Sequence, residues 1–129
     1  MPRRNTNQRK AISDVFDATD RPLSAQEVLG AAQRRTPGLG IATVYRTIKL
    51  LLSDGLLAAV KLPGEPPRYE PAGKPHHHHF YCRYCGRVFE VPGGVPLLDA
   101  IVPKGFTLEA HDLVLYGQCR DCGSSRPSV

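Results

Sequence analysis

The sequence predicts an α+β chain in two parts: three helices and a hairpin over residues 1–70, then a small α/β unit over residues 76–129 stapled by cysteines, with residues 71–75 as a hinge. Three observations carry this. Apolar residues return at helical spacing three times before residue 55. Short β-prone runs broken by Pro and Gly follow. All four cysteines fall into two pairs of one spacing, Cys82-x2-Cys85 and Cys119-x2-Cys122.

From about Asn7 to Thr19, Ala11, Ile12, Val15 and Phe16 share one helical face, and residues 1–6 read as an arm carrying Arg3 and Arg4. Ser24 opens a capping box closed by Glu27, with Ala25, Val28, Leu29 and Ala32 at helical spacing, so a second helix runs to about Arg35. A third begins near Ile41, buries Ile41, Val44, Ile48, Leu51 and Leu52, and stops at Asp54-Gly55. Its other face offers Ala42, Thr43, Tyr45, Arg46 and Lys49. Small, hydroxyl, aromatic and cationic groups near a helix N-terminus suit base reading in a major groove, although a plain solvated face looks similar. Leu56 to Leu62 reads as a strand, Pro63 to Pro67 as a turn and Arg68-Tyr69-Glu70 as the return strand. Three helices and a hairpin make a winged helix-turn-helix.

Beyond the Pro- and Gly-rich hinge, a hairpin is expected through the first cysteine pair, His77 to Cys82 and then Val88 to Val91. A helix from near Pro96 should turn Val95, Leu98, Ile101 and Val102 inward, and strands should cover Phe106 to Glu109 and His111 to Tyr116. Ser124 to Val129 reads as frayed. So small a sheet has open edges and little core, which predicts pairing with a second copy.

Two residues between cysteines let a tight knuckle aim both sulfurs at one ion, and Gly86 and Gly123 follow their pairs, where a positive φ is easily made. Two knuckles supply the four thiolates of a closed tetrahedral Zn²⁺ site. Two disulfides or a redox pair are the competing readings. The sequence shows no signal peptide, which points to a reducing, cytoplasmic setting, and a redox motif leaves the duplication unexplained. The 33 residues between Cys85 and Cys119 exceed a compact ribbon, so the ion would pin together the ends of a small domain.

Ahead of the first knuckle stand His76, His77, His78 and His79. Strand alternation puts His77, His79 and Tyr81 on one face and His76, His78 and Phe80 on the other. Each imidazole pair can chelate an ion; a solvated polar strand end is the competing reading.

The net charge of +5 is uneven: residues 1–61 hold ten Lys/Arg against five Asp/Glu, and the remainder holds seven of each. The excess suggests an anionic partner for the first half, with nucleic acid the first candidate. No apolar run approaches a membrane span.

In order and spacing, Thr6-x-Gln8-Arg9, Ser24-Ala25, Ala42-Thr43-Val44-Tyr45-Arg46, the HHHHFYCRYCG run, Gly105-Phe106 and His111 through Tyr116-Gly117-x-Cys119-x2-Cys122 resemble the ferric uptake regulator family of bacterial metal-dependent repressors. The resemblance implies a homodimer with a winged-helix DNA-binding domain (1–70) and a metal-binding dimerisation domain (76–129). It implies base contacts by Tyr45 and Arg46, with Arg9, Thr43 and Lys49 beside them and Arg4 reaching the minor groove. Structural zinc falls to Cys82, Cys85, Cys119 and Cys122, a regulatory metal to Glu70, His77, His79 and Glu90, and an auxiliary site to His76, His78 and His111. Many members place a ligand histidine where this chain has Pro22, which leaves Glu70 as the main tether between domains.

The expected function is therefore a metal-responsive transcriptional repressor on palindromic duplex DNA, zinc-sensing first, with iron or peroxide sensing as the alternative. Zn²⁺ would be structural, and the second divalent metal would be Zn²⁺ ahead of Fe²⁺ or Mn²⁺. A zinc-binding protein-interaction or metal-buffer module is the rival of another class. A zinc hydrolase built on His77, His79 and Glu90 lacks an identifiable general base, so the chain is not expected to be an enzyme, nor to take a small-molecule substrate.

Overall fold

The computed structural model describes residues 2–93 and 98–125. The chain divides into two units, Met1–Lys74 and Pro75–Val129. In the first, α1 (Pro2–Ala18), α2 (Ala25–Ala32) and α3 (Ile41–Ser53) precede an antiparallel pair, β1 (Leu57–Val60) and β2 (Arg68–Pro71).

The expected arm is instead the start of α1. Proline at the first helical position lacks only an N–H that the helix leaves unbonded, so helix runs back to Pro2. Ser24 caps α2 as its box predicts: its Oγ accepts from the Glu27 N–H at 3.1 Å, and the Glu27 carboxylate accepts the Ser24 N–H at 3.0 Å. α2 ends at Ala32 and passes into a turn through Arg35. α3 stops where Gly55 takes φ +76°, the left-handed position that favours glycine.

The apolar faces of these helices meet. Ile12 and Phe16 from α1, Val28 from α2, and Val44 and Ile48 from α3 close over Leu57 and Tyr69 of the hairpin. Burying each of the large aliphatics contributes about 1.5–3 kcal/mol. Ile41, Leu51 and Leu52 are only partly buried against this core, while Thr47, on the same helix, is buried. Leu23 and Tyr69 exchange both backbone hydrogen bonds, at 2.9 and 2.8 Å, which adds a bridge beside the wing that the sequence did not suggest.

The second unit is built on β3 (His77–Cys82), β4 (Val88–Pro92) and β5 (Val114–Gly117), in the order β4-β3-β5. β3 pairs antiparallel with β4, setting Phe80 opposite Phe89, and parallel with β5, setting Phe80 opposite Leu115.

Several expectations fail here. The helix placed near Pro96 is a 3-10 turn over Leu98–Ile101, since Pro103 bars extension, and Ile101 is 76% exposed instead of inward. Val95 and Pro96 lie outside the described residues. Phe106 to Glu109 forms no strand: both edges of β3 are taken, and Phe106 stays 71% exposed. The strand expected from His111 begins only at Val114. Gly86 takes φ +76°, but Gly123 sits inside a further helix, α4 (Arg120–Ser125). The expected frayed tail thus starts in helix, and residues 126–129 lie outside the described residues. Among the described residues of this unit, only Cys82, Val88 and Cys119 are buried apolar groups. Apolar burial is thin, so a metal staple would supply much of its stability.

Candidate metal centres

β3 ends at Cys82 and β5 ends at Gly117, running the same way, and the Arg83 N–H donates to the Gly117 carbonyl at 2.8 Å. Both knuckles therefore leave neighbouring strand ends side by side. The Cys82 and Cys122 sulfurs are 3.7 Å apart, those of Cys85 and Cys119 3.8 Å apart, and none of the four is in a disulfide. A tetrahedral site with Zn–S bonds of about 2.3 Å needs sulfurs roughly 3.8 Å apart. The residues present fit zinc. Burial opposes ionisation of Cys82, but backbone N–H groups around it, including that of Cys119, outweigh burial and bring the thiol down to about 6. At Cys122 burial, reinforced by the neighbouring sulfurs, pushes the thiol up to about 12. One thiol ionises readily while its buried neighbour resists, and a divalent cation beside both favours the thiolate.

On one face of β3, the His77 and His79 rings are 4.8 Å apart, and His79 stands opposite Glu90 of β4. His77 Nδ1 is 2.8 Å from the Pro75 carbonyl, which can only accept, so Nδ1 carries the proton. That leaves Nε2 facing the Glu90 carboxylate at 3.2 Å. A lone pair aimed at an anion calls for a cation between them, a proton or a metal.

On the other face, His76 Nε2 lies 3.3 Å from His111 Nε2, and the His78 ring is 4.6 Å from His76 and 5.1 Å from His111. His78 is buried, and its Nε2 has no protein hydrogen-bond partner. Burial first, then the neighbouring imidazoles, holds it below the usual histidine range, which keeps it neutral and able to ligate.

Glu70 belongs to the first unit, where it pairs with Ala58 across the hairpin, is buried, and has Lys74 Nζ 3.5 Å from its carboxylate. Pro22, at the position noted above, is fully buried. On α3, Tyr45 and Arg46 are exposed with Lys49, and the Arg46 guanidinium donates to Thr43 Oγ1 at 3.0 Å. Arg9 is exposed on α1, beside a cleft of about 360 Å³ that Lys10 and Thr47 also line. The Arg4 side chain lies outside the described residues. A second cleft, of about 310 Å³, opens between Gln26, Tyr45, Pro66 and Tyr69.

Two residues in this chemistry escaped the sequence reading. Lys74 follows Glu70 by four residues, a pairing cue in a helix but not in a Pro-rich hinge. Arg87 follows Cys85 by two and reaches both knuckles. Among the described residues no helix is long and apolar enough to cross a membrane.

Comparison with known proteins places this geometry in context. The pattern of the Ferric uptake regulator family matches residues 2–116. The chain is 34% identical over 124 residues to a zinc uptake regulation protein of Mycobacterium tuberculosis, covering 94% of this chain and 95% of that one. It is 32% identical over 131 residues to a ferric uptake regulation protein of Campylobacter jejuni, covering 96% and 82%. Among solved structures, a zinc-bound manganese uptake regulator superposes with a TM-score of 0.75 at 28% identity, over 87% of each chain. With its winged helix, its four gathered cysteines and a match over most of its length, the chain belongs to the ferric uptake regulator family, whose members are metal-responsive transcriptional regulators.

Proposed function

We propose that this regulator is a zinc-responsive repressor in which occupancy of Glu70, His77, His79 and Glu90 sets affinity for a palindromic operator. The observation that carries it is the group on one face of β3, where His77 Nε2 lies 3.2 Å from the Glu90 carboxylate with the His79 imidazole beside it. Two imidazoles and two carboxylates suit a four-coordinate ion, and Pro22 removes the histidine with which many members raise the coordination number. Similarity to a zinc uptake regulation protein over 94% of the chain supports zinc.

A bound divalent ion supplies the positive charge that its donors share. Glu70, drawn toward the histidines of β3, restrains the hinge at residues 71–75, where Gly73 holds φ +83°. In a homodimer, restraint of two hinges sets the distance between two α3 helices, which must be about 34 Å for adjacent turns of one DNA face. Tyr45 and Arg46 then contact base edges, with Thr43, Lys49 and Arg9 beside them and Arg4 toward the minor groove. Only the difference in metal affinity between open and closed arrangements drives the change. Ile101, Phe106, Leu108, Leu115 and Tyr116 are exposed apolar residues of the second unit, and they suit burial against a second copy.

The test is zinc-dependent binding to an operator duplex selected from random DNA. His77→Ala should abolish the zinc dependence while leaving salt-dependent binding to random duplex. Unchanged zinc dependence would make the assignment wrong. Iron-based peroxide sensing is the second reading, favoured by the similarity to a ferric uptake regulation protein. It predicts added oxygen on His77 or His79 by mass spectrometry after Fe²⁺ and peroxide, and an unmodified peptide removes it.

A further inference from the structure

Cys85 is the exposed member of the cysteine cluster, and the side chain lying on it is Arg87. The Arg87 Nε donates to Cys85 Sγ at 3.2 Å, and Nη2 reaches Cys119 Sγ at 3.9 Å. The same Nη2 donates to Asp121 Oδ2 at 3.3 Å, and the guanidinium carbon stands 5.6 Å from the centre of the Phe89 ring. One planar fork thus touches a sulfur from each knuckle, held from one side by a carboxylate of α4 and from another by an aromatic face of β4. Four thiolates around Zn²⁺ carry two net negative charges, and a fixed guanidinium offsets one of them.

We infer that Arg87 is a positioning residue that guards the cysteine centre, holding electron density on Cys85 and Cys119 so that the zinc-bound sulfurs resist electrophiles. The inference rests on the four cysteines being a closed zinc centre. When an electrophile attacks, a sulfur lone pair forms the new bond and the sulfur loses its negative charge. A cation bonded to that sulfur loses its attraction as the reaction proceeds, so it stabilises the ground state more than the transition state and slows the step. The effect is local, falling on the two sulfurs that the fork touches and sparing Cys82 and Cys122. Asp121 fixes the fork, so it acts on the same sulfurs at one remove. With Arg87 in place the centre yields its zinc to electrophiles more slowly, which helps to separate structural metal from the metal that is sensed.

The experiment uses the full chain loaded with zinc and treated with excess iodoacetamide. Sulfur displaces iodide from the methylene carbon, a thioether forms, and the freed zinc is followed with a chromogenic chelator. Peptide mass spectrometry at early times shows which cysteine is labelled first. Arg87→Met should speed zinc release about tenfold, as expected for loss of a charge-assisted hydrogen bond, with the added labelling on Cys85 and then Cys119. Arg87→Lys, which keeps the charge and loses the fork, should fall between the two. Asp121→Asn should give a smaller gain with the same site pattern. An unchanged rate in Arg87→Met overturns the inference, and so does an equal gain at all four cysteines, because mere loosening of the fold spares none of them. If the wild-type chain holds no stoichiometric zinc and its thiols react equally with and without it, the zinc centre itself fails, an outcome distinct from failure of the Arg87 role.

Discussion

His76 Nε2 and His111 Nε2 stand 3.3 Å apart across 35 residues of sequence, beside a buried His78 whose Nε2 has no protein partner. Three imidazole nitrogens so placed compete for protons and divalent ions alike. His111→Ala should therefore remove a weakly bound ion per chain near pH 7.5 and leave the cysteine-bound zinc. Metal titration followed by calorimetry checks this, and equal ion counts in variant and wild type would exclude His111 from the site.

Lys74 neutralises Glu70, the residue proposed to tie the first unit to the regulatory metal. Its ammonium is 3.5 Å from a carboxylate that is almost fully buried. Lysine and metal should then compete for the same oxygens. Lys74→Met should tighten zinc at the regulatory site about threefold, and Glu70→Ala should weaken it tenfold or more. Competition against a calibrated zinc chelator measures both, and looser binding in Lys74→Met would contradict the competition.

Arg46 is held toward Thr43 by a 3.0 Å hydrogen bond, which orients its guanidinium on the exposed face of α3. A base contact by such a fork contributes about 1–3 kcal/mol of discrimination. Arg46→Ala should cost roughly 5- to 150-fold on the selected operator and much less on random duplex. Equal losses on both, by fluorescence anisotropy at fixed salt, would make Arg46 a phosphate contact.

Asp14 joins α1 to the turn after α2 through Arg35, 2.6 Å away, with Lys10 at 3.3 Å. The Arg35 hydrogen bond, then that of Lys10, holds the Asp14 carboxyl below its ordinary 3.8. Because the folded value lies below the unfolded one, the stabilisation is complete above the unfolded value and is lost as pH falls through the folded one. Asp14→Asn should lower the melting temperature by a few degrees at most at neutral pH, and by progressively less as the pH falls below the ordinary 3.8. A loss that does not shrink in acid would assign the effect to packing.

The first half of the fold was legible because its signals are local. Ser24 with Glu27 announces α2, and Asp54-Gly55 ends α3, each within a few residues of the structure it determines. The second half depends on distant partners. β5 exists through its parallel pairing with β3, and Phe106 to Glu109, equally β-prone, has no free edge of β3 to join. The histidine faces followed from strand alternation alone, since a period of two admits no other division of residues 76–79. Arg87 and Lys74 were not legible, because long cations choose partners in space and neither spacing belongs to a pattern.

The parallel pairing of β3 with β5 also sets an order of events at birth. Cys85 and Cys119 are 34 positions apart, so at ribosomal speeds of about 5–20 residues per second the first knuckle waits roughly two to seven seconds for the second. During that interval the first knuckle, preceded by four imidazoles, offers two thiols with no second knuckle to complete a site. The four sulfurs gather only once β5 has docked beside β3 and brought the second knuckle to the first. Any ion held by all four cysteines is therefore among the last things that each copy acquires.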